Sequence, residues 1–303
     1  MSNTHLWGID LGGTKVEGVI LKSADDPEIL FRDRLSTEAE KGYDHILSRI
    51  HQLVNKMSAA VGHKPTHIGM GTPGAIDPIT RTIKNSNSTA LIGKPLKEDL
   101  EKITGATFQL ENDANCFALA ETRMGIVKEK FPNAKVVFGV IMGTGVGGGL
   151  VVNNQTINGL QSIGGEWGHN FLDESGGSCY CGKSGCVEQV LSGPALQRYY
   201  THESGATKSL KDIYADHLAG TDPFATQTMK RLTANFGKAI SVIINIVDPD
   251  VIVIGGGVGN IDLIYSEGRE EAVKNVFNLR LDTPIVKPKL GDSAGVFGAA
   301  YLR

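Results

Sequence analysis

Three cysteines, Cys179, Cys181 and Cys186, fall within eight residues, and His169 stands ten residues before the first. Three thiols and an imidazole make up the four nitrogen and sulfur ligands that tetrahedral Zn²⁺ takes in closed structural sites. The plainer reading, reduced thiols beside a packed histidine, gives little reason for thiols separated by one and four residues in a glycine-rich loop. Four protein ligands leave no position open for water, so a structural metal is expected rather than a catalytic one. Glu166 precedes the histidine by three residues and Glu188 follows the last cysteine by two. The metal is therefore expected to hold two carboxylates where a polar substrate meets them, against the plainer alternative that Glu188 is a solvated loop residue.

A second chemistry begins at Asp10, which is followed by Gly12-Gly13-Thr14-Lys15 in what reads as a tight hairpin. Glycines let backbone N–H groups approach a phosphate, Thr14 adds a hydroxyl, and the carboxylate suits Mg²⁺ or its water shell. A simple β-turn would explain one such string. Gly143-Thr144-Gly145 is a second, and Gly255-Gly256-Gly257 is a third glycine cluster, suited to a nucleoside. Two stricter patterns fail on context. Residues 143–148 satisfy G-x-G-x-x-G, but strand-like Leu150-Val151-Val152 follows where a dinucleotide site needs a helix. Residues 177–184 satisfy the P-loop pattern, but no apolar strand precedes them and their cysteines are better used as ligands.

Short apolar runs at 6–10, 16–21, 29–35, 67–71, 107–110, 136–142, 150–153, 251–254 and 285–287 read as strands. Helices are expected over 44–61, 96–104, 114–124, 226–247, 263–277 and 293–302, the last packing on the first part of the chain. Asn112 and Asp113 then fall at a strand-to-helix junction, where helix N–H groups stand behind polar side chains. A helix cap is the plainer role for Asp113. The strand, glycine-threonine turn and strand at 136–153 repeats the opening hairpin, which points to two related halves.

At 303 residues with 41% hydrophobic content, the chain is long enough for two cores. A net charge of −3 argues against nucleic acid or an anionic membrane as partner. No apolar run reaches membrane-spanning length, and residues 1–5 lack a signal-peptide core, so a cytoplasmic location is expected. The sequons at Asn87 and Asn154 carry no weight without secretion, and Cys116 reads as an ordinary buried thiol.

These motifs together resemble the ROK family (repressors, open reading frames, kinases) of sugar kinases, within the actin-like ATPase superfamily. The resemblance runs through Ile9-Asp10-Leu11-Gly12-Gly13-Thr14-Lys15, Thr72-Pro73-Gly74, Glu111-Asn112-Asp113-Ala114-Asn115, Gly143-Thr144-Gly145 and Gly165-Glu166-Trp167-Gly168-His169. It continues in Cys-x-Cys-Gly-x-x-Gly-Cys-x-Glu and in Asp248-Pro249-Asp250 before Gly255. Gly165–Asn170, Cys179–Lys183 and Lys84–Thr89 look most like bacterial fructokinases (mannofructokinases), although Ala90 stands where an aromatic residue is common and the spacer from His169 to Cys179 is short.

The resemblance implies an α/β protein of actin-like ATPase (ribonuclease H-like) fold, with two lobes around a cleft and a zinc-binding loop. Residues 1–115 plus 290–303 would form the small N-terminal lobe and 116–289 the large one. It implies ATP, Mg²⁺ and structural Zn²⁺ as cofactors, a homodimer, and phosphoryl transfer to the 6-hydroxyl of a hexose, D-fructose first, then mannose or glucose. A glucokinase or N-acetylhexosamine kinase is the alternative. Asp113 matches the family's general base, and Gly74, Asn112, Glu166, His169 and Glu188 match sugar ligands, with His169 shared between sugar and zinc. A sugar-responsive repressor of the same family would need a DNA-binding module ahead of Asp10, and a zinc-organised interaction module would leave Asp113 and the phosphate-type turns unexplained.

Overall fold

In this computed structural model, residues 5–86 and 88–302 are described; Met1–Thr4, the sequon residue Asn87 and Arg303 lie outside them. Two compact units are formed. The first comprises residues 1–132, 149–164 and 289–303, and the second residues 133–148 and 165–288. This division differs from the expected boundary after residue 115, which would cut helix α3 (Asp113–Arg123) in its first turn.

In the first unit, β1 (Leu6–Leu11), β2 (Lys15–Leu21), β3 (Ile29–Ser36), β4 (His67–Thr72) and β7 (Thr107–Asn112) make one sheet in the order β3-β2-β1-β4-β7. β3-β2-β1 is an antiparallel meander, whereas β4 and β7 join parallel to β1. Helices α1 (Tyr43–Val61) and α2 (Leu96–Thr104) supply the connections that parallel strands require, and β5 (Ala75–Ile76) pairs with β6 (Ile83–Lys84) between them. α1 buries Ile46, Ile50, Leu53, Val54 and Met57, the helical stripe visible in the sequence. At about 1.5–3 kcal/mol for each buried side chain, that stripe contributes roughly 10 kcal/mol of gross burial energy.

The closing helix α10 (Ala294–Ala300) packs on β1, β4 and α3, as expected. It lies so close to β4 that a side chain on Gly69 would begin 1.8 Å from the Ala299 carbonyl oxygen. A short helix, α4 (Ile126–Lys130), follows α3.

A second five-stranded sheet has the order β10-β9-β8-β11-β12, from β8 (Val136–Met142), β9 (Val146–Val152), β10 (Gln155–Thr156), β11 (Val251–Gly255) and β12 (Ile285–Val286). Ranked along the chain, its strands repeat the order of the first sheet, with β11 parallel to both β8 and β12. β9 begins at Val146, four residues earlier than its apolar run predicted, because Gly147–Gly149 are extended as well.

In the second unit, α5 (Val187–Leu191), α6 (Gly193–Ser204), α7 (Leu210–Ala219), α8 (Pro223–Val247) and α9 (Glu267–Asn275) follow. α8 starts with Pro223, behind an Asp222 cap whose Oδ1 accepts from Phe224 and Ala225 N–H at 2.9 and 3.2 Å. α6 and α7 were not marked in the sequence, and α9 is shorter than the predicted 263–277, since residues 262–264 form a separate 3₁₀ turn. No described helix is long and apolar enough to cross a membrane.

Candidate functional site

The first unit gathers its polar residues at the carboxyl ends of β1, β4 and β7, the ends where parallel α/β sheets bind ligands. Register aligns Asp10 with Gly71, Gly71 with Glu111, and Thr72 with Asn112. Asn112 caps α3: its Oδ1 accepts from Ala114 N–H at 2.8 Å, while its Nδ2 donates to the Gly74 carbonyl at a long 3.4 Å. Gly74 has φ +84°, and a Cβ there would lie 2.4 Å from the Lys84 carbonyl oxygen, so only glycine turns the chain at this point. Asp113 begins α3, and one of its oxygens accepts from Ala114 N–H at 2.8 Å. Its side chain reaches solvent, yet the crowding of protein around it raises the carboxyl above its ordinary range, against the pull of that backbone bond.

Asp10 is partly buried, and its carboxyl is raised to about 7 by burial first, then by Asp113 and Glu17, with Lys15 opposing. Among the described residues neither of its oxygens has a hydrogen-bond partner. Gly71 and Gly295 flank it closely, since a Cβ on either would lie 3.1 Å from a carboxylate oxygen. A carboxylate destabilised in its charged form and lacking a donor is suited to a divalent cation, so the residues present fit Mg²⁺. In the adjoining turn, Gly12 N–H donates to the Lys15 carbonyl at 2.8 Å, and Gly13 and Thr14 are exposed. The Lys15 ammonium lies 3.6 Å from Glu17, which also pairs with Arg32 and Arg34.

In the second unit, His169, Cys179, Cys181 and Cys186 do converge: their ligand atoms all lie within 4.8 Å of one another. Sγ of Cys179 is 3.6 Å from His169 Nδ1, and Sγ of Cys181 is 3.6 Å from Sγ of Cys186. Tetrahedral bonds of about 2.3 Å to sulfur and 2.0 Å to nitrogen put neighbouring ligand atoms roughly 3.5–3.8 Å apart, so the donor set fits zinc. Glu188 sits in the first turn of α5, where its Oε2 accepts from Val146 N–H at 3.0 Å. Trp167, next to Glu166, is buried edge-on to Phe138 and donates through Nε1 to the Gly147 carbonyl at 3.0 Å, anchoring the segment that carries Glu166 and His169.

The turn after β8 closes through a 2.9 Å bond from Gly143 N–H to the Gly145 carbonyl, and Thr144 is exposed. Parallel pairing of β8 and β11 ends with Ile141 beside Gly255, so Gly143 and Gly257 become neighbours. A Cβ on Gly143 would lie 3.8 Å from Gly257 N, and Gly256 turns the chain at φ +83°.

Two features escaped the sequence reading. Glu111 is buried and accepts from Asn112 N–H at 2.8 Å, Asn115 Nδ2 at 3.0 Å and Thr156 at 2.8 Å, bracing the junction that holds Asp113. Its place in Glu111-Asn112-Asp113-Ala114-Asn115 was the available signal. The other is Tyr180, between two cysteines, whose hydroxyl lies 2.9 Å from His169 Nε2.

Twin sheets of one strand order, each opening on a glycine hairpin, are the architecture of the actin-like ATPases, and solved ROK structures share it across nearly the whole chain. The model of the ROK family matches residues 6–303, and the chain belongs to that family as a sugar kinase. It is 35% identical to an N-acetyl-D-glucosamine kinase of Vibrio parahaemolyticus over 98% of each chain. The ROK hexokinase of Thermus thermophilus superimposes with a TM-score of 0.85 at 30% identity, covering 98% of this chain and 96% of that one. A ROK glucokinase from Streptomyces griseus, crystallised with glucose and AMPPNP, gives 0.76 at 26% identity over 98% of each. Fructose was the first expectation from the sequence, but the curated relative named here is an N-acetylglucosamine kinase, which was the alternative.

Proposed function

We propose that this protein is an ATP-dependent N-acetylhexosamine kinase, with N-acetyl-D-glucosamine as its preferred sugar and the 6-hydroxyl as its acceptor. The carrying observation is the 35% identity to an N-acetyl-D-glucosamine kinase over 98% of each chain. Asp113 is the general base. Its raised carboxyl suits a group that takes a proton late, as the 6-oxygen bonds to the γ-phosphorus and the bond to ADP breaks. Asn112 Nδ2, whose bond to Gly74 is long, donates to the sugar, and Glu166, His169 and Glu188 hold its hydroxyls.

Mg²⁺ at Asp10 and the N–H groups of the Gly12-Gly13-Thr14-Lys15 and Gly143-Thr144-Gly145 turns would meet the phosphates, and Gly255-Gly256-Gly257 the nucleoside. His169 Nδ1 and the thiolates of Cys179, Cys181 and Cys186 would hold zinc, which would offset most of the thiolate charge and pin the loop that carries the sugar ligands. The active form is a cytoplasmic homodimer, which sedimentation of the purified protein would check.

A coupled ADP-release assay across N-acetyl-D-glucosamine, N-acetyl-D-mannosamine, fructose, glucose and mannose tests the reading. The expected result is a kcat/KM for N-acetyl-D-glucosamine at least about tenfold above the others, the discrimination a single group contact can supply. Fructose ranking first would refute it in favour of a fructokinase, the reading favoured by the motifs at Gly165–Asn170 and Cys179–Lys183.

A further inference from the structure

The single hydrogen on the His169 imidazole is already claimed. Nδ1 faces Cys179 and the other thiols, so once metal is bound the hydrogen sits on Nε2. Nε2 is 2.9 Å from the Tyr180 hydroxyl, which can accept it, and the two rings meet edge to face at 5.1 Å and 89°. Tyr180 is 75% exposed and belongs to a turn rather than to a helix or strand. A hydroxyl that can donate and accept thus stands against the imidazole, at the nitrogen assigned above to a sugar hydroxyl.

We propose that Tyr180 is an internal competitor for the sugar: its hydroxyl occupies the His169 Nε2–H that a sugar hydroxyl must take, and so sets how tightly the sugar binds. The inference rests on the reading of Glu166, His169 and Glu188 as sugar ligands. One N–H cannot make two good hydrogen bonds, so sugar binding breaks the Tyr180 bond and the ring moves aside. The exposure of Tyr180 makes that movement easy, since no packed core has to open for it. Tyr180 therefore tunes affinity and takes no part in the transfer of the phosphoryl group.

Tyr180→Phe keeps the ring and removes the competing oxygen. The variant and the parent, both zinc-loaded, are titrated calorimetrically with N-acetyl-D-glucosamine and, separately, with D-fructose, and zinc content and kinetics are measured alongside. The expected result is a Kd about three- to tenfold lower for the sugar that binds, the worth of one net hydrogen bond, with KM falling in parallel. Zinc content stays the same and kcat stays within about twofold, because the competitor acts before chemistry. An unchanged Kd would overturn the inference, as would a weaker one, which would make Tyr180 a direct sugar contact. Loss of zinc would also overturn it, by making Tyr180 a support for the metal. Glu166→Gln in the same titration separates the two levels. Weakened binding there with an unchanged Tyr180→Phe sinks the competitor alone, whereas wild-type binding by Glu166→Gln sinks the sugar-site reading and the competitor with it.

Discussion

As pH rises through the range from 3.8 to about 7, the contribution of Asp10 to stability should fall, and Asp10→Asn should remove that part of the pH dependence. The carboxyl titrates near 3.8 when unfolded and is raised to about 7 in the fold. Below the first value it is protonated in both states and contributes nothing. Between the two the unfolded chain releases the proton and the folded chain keeps it, so stability drops with rising pH; above about 7 the penalty is complete. A shift of roughly three units at 1.36 kcal/mol each gives about 4 kcal/mol as a ceiling. Asp10 is partly exposed and shares the effect with Asp113, so about 2 kcal/mol is the working figure.

The amide variant keeps the shape and loses no hydrogen bond, because neither carboxylate oxygen has a partner among the described residues. In urea titrations without added Mg²⁺, Asp10→Asn should be more stable than wild type by about 2 kcal/mol near pH 8. The gap should be under about 1 kcal/mol near pH 5. Added Mg²⁺ should raise the wild type and leave the variant unmoved. An equal gap at both pH values, or a wild type that is the more stable at pH 8, would refute the reasoning.

Asp113→Asn should lower kcat by about two orders of magnitude or more while sugar Kd stays within a few-fold; turnover near wild type would remove Asp113 as the base. Gly145→Ala would place a Cβ 2.6 Å from Glu188 Oε2 and push the carboxylate off Val146 N–H. That bond involves a charged group and is worth about 1.5–3 kcal/mol, so KM for the sugar should rise by about tenfold or more, and an unchanged KM would free Glu188 from its assigned role. Cys181→Ser, or a strong chelator, should strip the metal and lower the thermal midpoint together; elemental analysis finding no zinc in the purified parent would end the zinc assignment.

The fold was legible where local pattern decides it. The α1 stripe, the hairpin at Gly12–Thr14 and the Asn112–Asp113 junction all follow from spacing and capping chemistry. The early start of β9 was not legible, because Gly149 is required by a distant element: a Cβ there would meet the Ala114 carbonyl oxygen at 2.4 Å. α6 was masked by the cysteine loop before it, although Ser192 caps it and Pro194 stands in its first turn.

At the site, residue types with one dominant chemistry announced themselves, and the thiols and imidazole converge. Glu111 and Tyr180 did not, since their roles rest on partners supplied by the fold: Thr156, 45 residues away, and the second nitrogen of His169. Substrate identity was the least legible, because it depends on how a few hydroxyl-binding groups are spaced rather than on which groups they are.

The two sheets share one strand order and one glycine turn, but not one charge. Aligned on Gly12 and Gly143, the position of Asp10 is occupied in the second hairpin by Ile141. The first turn therefore carries its own carboxylate, whereas the second takes one from α5, through Glu188 on Val146 N–H at 3.0 Å, so its charge answers to a change in a helix rather than in the turn itself.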